Sequence, residues 1–278
     1  MRSNRPTVAD LRALKGKRQL SKIRVFTMEE VEAAARAGVE ILSVTPELIL
    51  NPEFRDAAPD VFAIPGSVNS FFALKDDVMR DAFRFIRAGA DAVYCAASID
   101  TIRALADEHV PVCGHTGLIP HHSTWTGGFR AVGKTAETAM FVWKQVQALE
   151  AAGAFAAEIE VVPVEVASAI SARTSLFMIS MGAGGGCDAQ YLFSEDILGY
   201  NRGHYPRHSK VYRNFAAEYD RLQAERVAAF SEYVADVRSG AYPEPKHVVG
   251  IEQEELKQFL DELQRADLAT ISSRAPLP

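Results

Sequence analysis

Apolar and polar positions along this chain follow two periods that take turns. KIRVF (22–26), EILSV (40–44) and VFAIPG (61–66) are short apolar runs rich in β-branched residues, which predicts strands. MEEVEAAARAG (28–38), lying between the first two, has helical spacing. KDDVMRDAFRFIRAGA (75–90) puts Val78, Ala82 and Phe85 on one helix face and ends at Gly89. DAVYCAA (91–97) predicts a fourth strand, and SIDTIRALADEH (98–109) a helix capped by Ser98. VPVCGH (110–115) is the fifth strand. TAETAMFVWKQVQALEAAGA (135–154) is the clearest helix, with Ala139, Val142, Val146 and Leu149 at helical spacing. AAEIEVVP (156–163), the helix VEVASAISART (164–174) and LFMISMGAG (176–184) follow, and DAQYLFSEDILGY (188–200) supplies a short eighth unit.

Strands alternating with helices over about 200 residues imply parallel pairing. Eight such units favour a closed (β/α)8 TIM barrel over an open doubly wound sheet. The reading is one barrel domain over 1–278, with 208–278 as a helical extension. In that extension Phe215, Tyr219, Leu222, Val227, Phe230 and Val234 form an apolar stripe. A stripe that long needs a cover, either the barrel wall or another subunit, so a homo-oligomer is expected.

Composition narrows the function classes. The chain has 278 residues, 48% of them hydrophobic, and a net charge of -6. No basic tract interleaves with aromatics, so nucleic acid is not an expected partner. No apolar run reaches membrane-spanning length, and the basic N-terminus lacks the apolar segment of a secretory signal. Cys95, Cys113 and Cys187 are odd in number and lie in or beside apolar runs, as reduced thiols of a cytoplasmic protein would. No CxxC spacing suggests structural zinc.

In barrels of this kind the chemistry sits at the C-terminal ends of the strands. His115 stands at such an end, with Glu160 at the end of strand six, Ser180 before the turn MGAGGGCD (181–188), and Tyr94 on strand four. Period two puts Glu158 and Glu160 on one strand face, opposite Ala157, Ile159 and Val161. A carboxylate within an apolar strand is costly unless paired or neutral. Glu158 is expected in a structural ion pair with a Lys or Arg. Glu160, nearer the rim, is expected to be the acid/base, since proton abstraction beside a carbonyl needs a buried carboxylate of raised pKa. The glycine turn could cradle an anion but lacks the context of a dinucleotide site. HHSTWTGGFRAVGK (121–134) is long for a loop after a strand and reads as a lid.

VPVCGHTGLIP, GGFRAVGKT, ALEAAGA, EIEVVPVEVA, MGAGGGCDAQ, GHYPRHSK and SGAYP, in that order, resemble ketopantoate hydroxymethyltransferase, a family of the phosphoenolpyruvate mutase and isocitrate lyase superfamily. The resemblance implies a (β/α)8 barrel assembled as a decamer. It implies transfer of a hydroxymethyl group from methylenetetrahydrofolate to a 2-oxo acid held by magnesium. His115 falls on the family's substrate-contacting histidine and Glu160 on its proposed base. The metal positions differ. Pro46 and Glu47 stand where the family has an Asp-Ser pair, Gly66 where it has a metal-binding Asp, and Tyr94 and Ala96 where it has Lys and Glu. Magnesium is therefore not expected. Glu47, Ser67, Asn69, Tyr94 and Ser180 become the candidate substrate-binding residues, with Glu160 and His115 as the catalytic pair.

The resulting expectation is a divergent enzyme acting on a small carbonyl or carboxylate substrate. It would make or break a C–C bond next to the carbonyl, or transfer a one-carbon unit, without the usual magnesium site. The alternatives are a lyase or hydrolase of the same superfamily, or a non-catalytic binding or scaffold protein. An open pocket under residues 121–134 would favour chemistry. A mouth filled by Tyr94 and its neighbours would favour the scaffold.

Overall fold

The computed structural model describes residues 5–66 and 74–273. The strands are β1 (Leu20–Arg24), β2 (Ile41–Val44), β3 (Phe62–Pro65), β4 (Val93–Tyr94), β5 (Val112–Gly117), β6 (Ala156–Glu160), β7 (Phe177–Met181) and β8 (Ala189–Phe193). All pairings are parallel, in the order β3-β2-β1-β8-β7-β6-β5-β4. The two end strands of that order meet at a seam. There the Ala63 carbonyl accepts the N–H groups of Asp91 and Ala92 at 3.1 and 3.4 Å, and the Asp91 carboxylate accepts the Ala63 N–H at 2.8 Å. The result is a nearly closed (β/α)8 barrel.

Helices follow the strands as the pattern predicts: α2 (Met28–Arg36), α5 (Lys75–Arg87), α6 (Ile99–Asp107), α8 (Ala136–Ala151), α9 (Val164–Ser171) and α10 (Ser194–Leu198). Ser98 caps α6 by accepting the Thr101 N–H, and Val142, Val146 and Leu149 of α8 are buried. Three further short helices were not predicted: α3 (Pro46–Ile49), α4 (Phe54–Ala57) and α7 (Ser123–Thr126). Each is a single turn, too short to show a period. The N-terminal helix α1 (Val8–Leu14) was also missed, although Thr7 and Asp10 form a capping box there.

Two apolar layers hold the barrel. The outer one joins the outward faces of the strands (Leu42, Ala63, Val93, Val112, Ala157, Ile159, Met178) to the helices. The inner one fills the N-terminal end of the barrel with Leu20, Ile41, Phe62, Phe155 and Phe177, joined by Leu11 of α1. Burying side chains of this size contributes about 1.5–3 kcal/mol each. The inner face then changes character toward the other end. β1 reads Leu20, Lys22, Arg24 on its inward side, β2 reads Ile41, Ser43, β5 reads Cys113, His115, and β6 reads Ala156, Glu158, Glu160. The bottom is sealed by apolar groups, and the upper levels are polar.

The chain divides into two compact units, 1–217 and 218–278. The second unit contains most of α11 (Phe215–Ser239) and all of α12 (Gln253–Ser273). Leu222, Val227, Phe230 and Val234 of α11 are all exposed, Phe230 by 70%.

Candidate active site

The polar end of the barrel opens into a cavity of about 1060 Å³. Tyr94, His115, Glu158 and Glu160 line it from the strands, and Phe129, Arg130 and Lys134 from the loop after β5. His115 is the hub. Its Nε2 lies 2.8 Å from the Leu118 carbonyl oxygen and 3.2 Å from the Glu160 carboxylate. A carbonyl can only accept, so Nε2 carries a proton. Nδ1 lies 2.8 Å from the Tyr94 hydroxyl and 3.5 Å from the Glu158 carboxylate. Burial works against a charged imidazole here. Hydrogen bonds to both glutamates, and their charges, outweigh it and raise the His115 pKa to about 9. His115 is therefore an imidazolium at neutral pH, and both ring nitrogens donate.

Glu158 has the structural ion pair expected of it. Its partner is Lys22, whose Nζ is fully buried and also sits 4.3 Å above the Tyr191 ring. Burial pushes the Glu158 carboxyl up, but the Lys22 charge and the His115 contact override it and hold the pKa at about 2. Burial likewise pulls Lys22 down, and Glu158 more than restores it. Burial and then the Glu158 charge push the Tyr94 phenol well above its ordinary range, so it stays protonated.

The backbone around Glu160 is unusual. Val161 has φ of +48°, a left-handed conformation that a β-branched residue seldom adopts. Gly117 on β5 has φ of +83°, and a Cβ there would lie 2.4 Å from the Glu160 carbonyl oxygen. The close approach lets the Leu118 N–H reach that oxygen at 2.9 Å. These two features fix the end of β6 against β5, and with it the Glu160 side chain.

The other sequence candidates fare differently. Glu47 is exposed in the first turn of α3 and does not line the cavity. Ser180 is fully buried, and its hydroxyl donates to the Gly184 carbonyl at 2.8 Å, closing the glycine turn instead of facing the cavity. The glycines of that turn answer to packing: a Cβ on Gly184 or Gly186 would meet Val164 at 2.3 Å or Ser168 at 1.9 Å. Ser67 and Asn69 lie outside the described residues. His115 is only 6% exposed, more deeply set than the rim position its place in the sequence suggested. Lys22, Arg24, Ser43 and Tyr191 were missed. The signal was present in KIRVF, where Lys22 and Arg24 share one face with period two.

At the ends of β3 and β4, a Cβ on Gly66 would lie 2.8 Å from Tyr94 Cβ and Cδ1. The Tyr94 ring therefore occupies the space that a larger side chain at position 66 would need. Among the described residues, no cluster of three or more His, Cys, Asp and Glu side chains is arranged to hold a metal ion.

Comparison with known proteins decides the family. The sequence profile of ketopantoate hydroxymethyltransferase matches residues 67–245. The chain belongs to this family. A 3-methyl-2-oxobutanoate hydroxymethyltransferase of Kosmotoga olearia is 32% identical over 257 residues, covering 84% of this chain and 94% of that protein. One from Yersinia enterocolitica is 31% identical over 264 residues, covering 87% and 97%. Among solved structures, a 2,3-dimethylmalate lyase described as a member of the PEP mutase/isocitrate lyase superfamily matches with a TM-score of 0.51 at 16% identity, covering 97% of this chain and all of that one. That last likeness is one of fold. The chain is thus a member of an enzyme family, and among the described residues no helix is long and apolar enough to cross a membrane.

Proposed function

We propose that this protein removes the proton next to the ketone of a 2-oxo acid and joins that carbon to a one-carbon unit, without a magnesium site at the usual family positions. The observation that carries this reading is the single imidazolium, His115, bridging the Glu160 carboxylate and the Tyr94 hydroxyl at the wall of one cavity. Glu160 accepts the C3 proton of the oxo acid and leaves an enolate. Because His115 donates to the Tyr94 oxygen, the Tyr94 O–H is left to donate to the enolate oxygen, where charge develops. His115 positions both groups instead of touching the substrate, since both its ring nitrogens already face protein oxygens. Water opens the methylene bridge of the donor to formaldehyde and the free folate amine. The C3 carbon then bonds to the formaldehyde carbon as the ketone re-forms, and the proton on Glu160 passes to the new alkoxide oxygen to complete the hydroxymethyl group. Methylenetetrahydrofolate is the proposed donor. The cavity, at the upper end of the usual range for small-molecule sites, has room for both.

The open cavity under residues 120–134 favours an enzyme over a scaffold. The absence of a magnesium step is supported by Gly66, Ala96 and the Tyr94 ring, because Mg²⁺ demands hard oxygen donors in near-octahedral geometry. The deciding experiment follows 3-methyl-2-oxobutanoate by proton NMR in D₂O, with and without EDTA. Loss of the C3 proton signal at a rate unchanged by EDTA is expected. No exchange, or exchange that EDTA abolishes and Mg²⁺ restores, would contradict the proposal.

We also propose self-association through the helical unit, supported by the exposed apolar row on α11. Light scattering at micromolar concentration is expected to give a multiple of 30.4 kDa. A monomer mass would exclude it.

A further inference from the structure

The upper level of the barrel holds a cation, Arg24, that makes no direct ion pair among the described residues, although the Glu47 carboxylate feels its charge from farther away. Arg24 is half-buried on β1 and lines the cavity. Its Nη1 donates to the Ser43 hydroxyl on β2 at 3.1 Å, and its guanidinium carbon lies 5.6 Å from the Phe26 ring centre. Among the described residues it forms no ion pair. Lys22, two residues earlier on the same inward face, is neutralised by Glu158. The contrast is between two levels of one barrel. The lower cation is paired within the protein, whereas the upper one lines the cavity and, among the described residues, donates a side-chain hydrogen bond only to the Ser43 hydroxyl.

A guanidinium is a rigid planar fork suited to a carboxylate, which it grips through two parallel hydrogen bonds. Partial burial without an anion is unfavourable, and a bound anion removes the penalty. Arg130, Lys134 and Arg207 also line the cavity, but all three are exposed and lie outside the strands. Arg24 is on a strand and is braced by Ser43, so it can hold a ligand in a fixed place. We infer that Arg24, braced by Ser43, is the subsite that receives the carboxylate of the 2-oxo acid. Arg24 is two residues above Lys22, and Glu160 is two residues above Glu158. The anchor and the base therefore stand at the same level on different walls of the barrel. An oxo acid gripped at β1 extends toward Glu160 on β6 with no metal to chelate it. This assignment rests on the 2-oxo acid reading above.

The test is calorimetric titration of the full-length protein with 3-methyl-2-oxobutanoate and, separately, with its methyl ester, using wild type, Arg24→Gln and Arg24→Lys. Wild type is expected to prefer the acid. Arg24→Gln should weaken acid binding at least tenfold, leave ester binding unchanged and keep the wild-type melting temperature. Arg24→Lys, which keeps the charge but loses the fork, should fall between. Equal affinity of wild type for acid and ester, equal loss of both in Arg24→Gln, or no loss of either would overturn the subsite. The NMR exchange assay separates the two ideas. C3 exchange with an unaltered KM in Arg24→Gln removes the subsite and keeps the function. Arg24-dependent acid binding without exchange keeps the subsite and removes the function.

Discussion

Glu160→Gln is expected to slow C3 proton exchange by roughly 10²–10⁴-fold, the usual contribution of one general base. The amide has the size of the carboxylate and cannot accept the proton. Binding of the oxo acid should change little, so the loss should appear in kcat and leave KM nearly as it was. The barrel should persist, because the end of β6 is held by its backbone: the Leu118 N–H bonds the Glu160 carbonyl, and Val161 N–H bonds the Met181 carbonyl at 2.8 Å. His115 keeps Glu158 as a charge partner in the variant. The comparison with Glu158→Gln is informative, since both residues touch His115 but only Glu160 is proposed to meet the substrate. A Glu160→Gln enzyme that exchanges the C3 proton at the wild-type rate would show that the base lies elsewhere.

The largest stability effect is expected from the buried pair below the cavity. Removing one partner of a buried ion pair typically costs about 3–5 kcal/mol. Glu158→Gln should lie at the upper end, because it leaves the Lys22 ammonium, at zero side-chain exposure, without its carboxylate counter-charge, and an amide oxygen and the Tyr191 ring replace that charge only in part. Lys22→Met should cost less, because Glu158 retains the His115 imidazolium. The double variant should be more stable than Glu158→Gln alone. Both tryptophans, Trp125 and Trp143, lie before residue 218, so urea unfolding followed by their fluorescence reports the barrel unit. An additive double-mutant cycle would mean that the two charges do not interact energetically. The pH profile tests the same network. Glu158 is held at about 2, below its unfolded value, so its contribution is complete above about 4.5 and is lost as pH falls through 2. His115 is raised to about 9, so its contribution is complete below about 6.5 and is lost as pH rises through 9. Barrel stability should therefore peak between those limits and decline on the alkaline side over pH 6.5–9.

The sequence by itself determined the eight strands, their order and the longer helices, but not α1 or the single-turn α3, α4 and α7. Alternating periods fixed eight strands and the helices between them, because periodicity is written locally in runs such as VPVC and AAEIE. The period-two spacing of Glu158 and Glu160 placed both on one face of β6, and Gly114 and the apolar run before it placed His115 near a strand end. Closure of the barrel decided the rest. Which face of β1 points inward is set by partners far along the chain, so KIRVF read as an ordinary strand although it carries Lys22 and Arg24. The union of Lys22 with Glu158 joins residues 136 positions apart, and no local pattern records it. Nor could spacing show that Ser180 turns into its own glycine loop while Glu47 stands exposed on a single helical turn. The same non-local packing brings the Tyr94 ring against Gly66. Strand periodicity fixes which residues share a face, and only the closed sheet fixes what that face meets, since the charges that balance one another there come from strands at opposite ends of the unit.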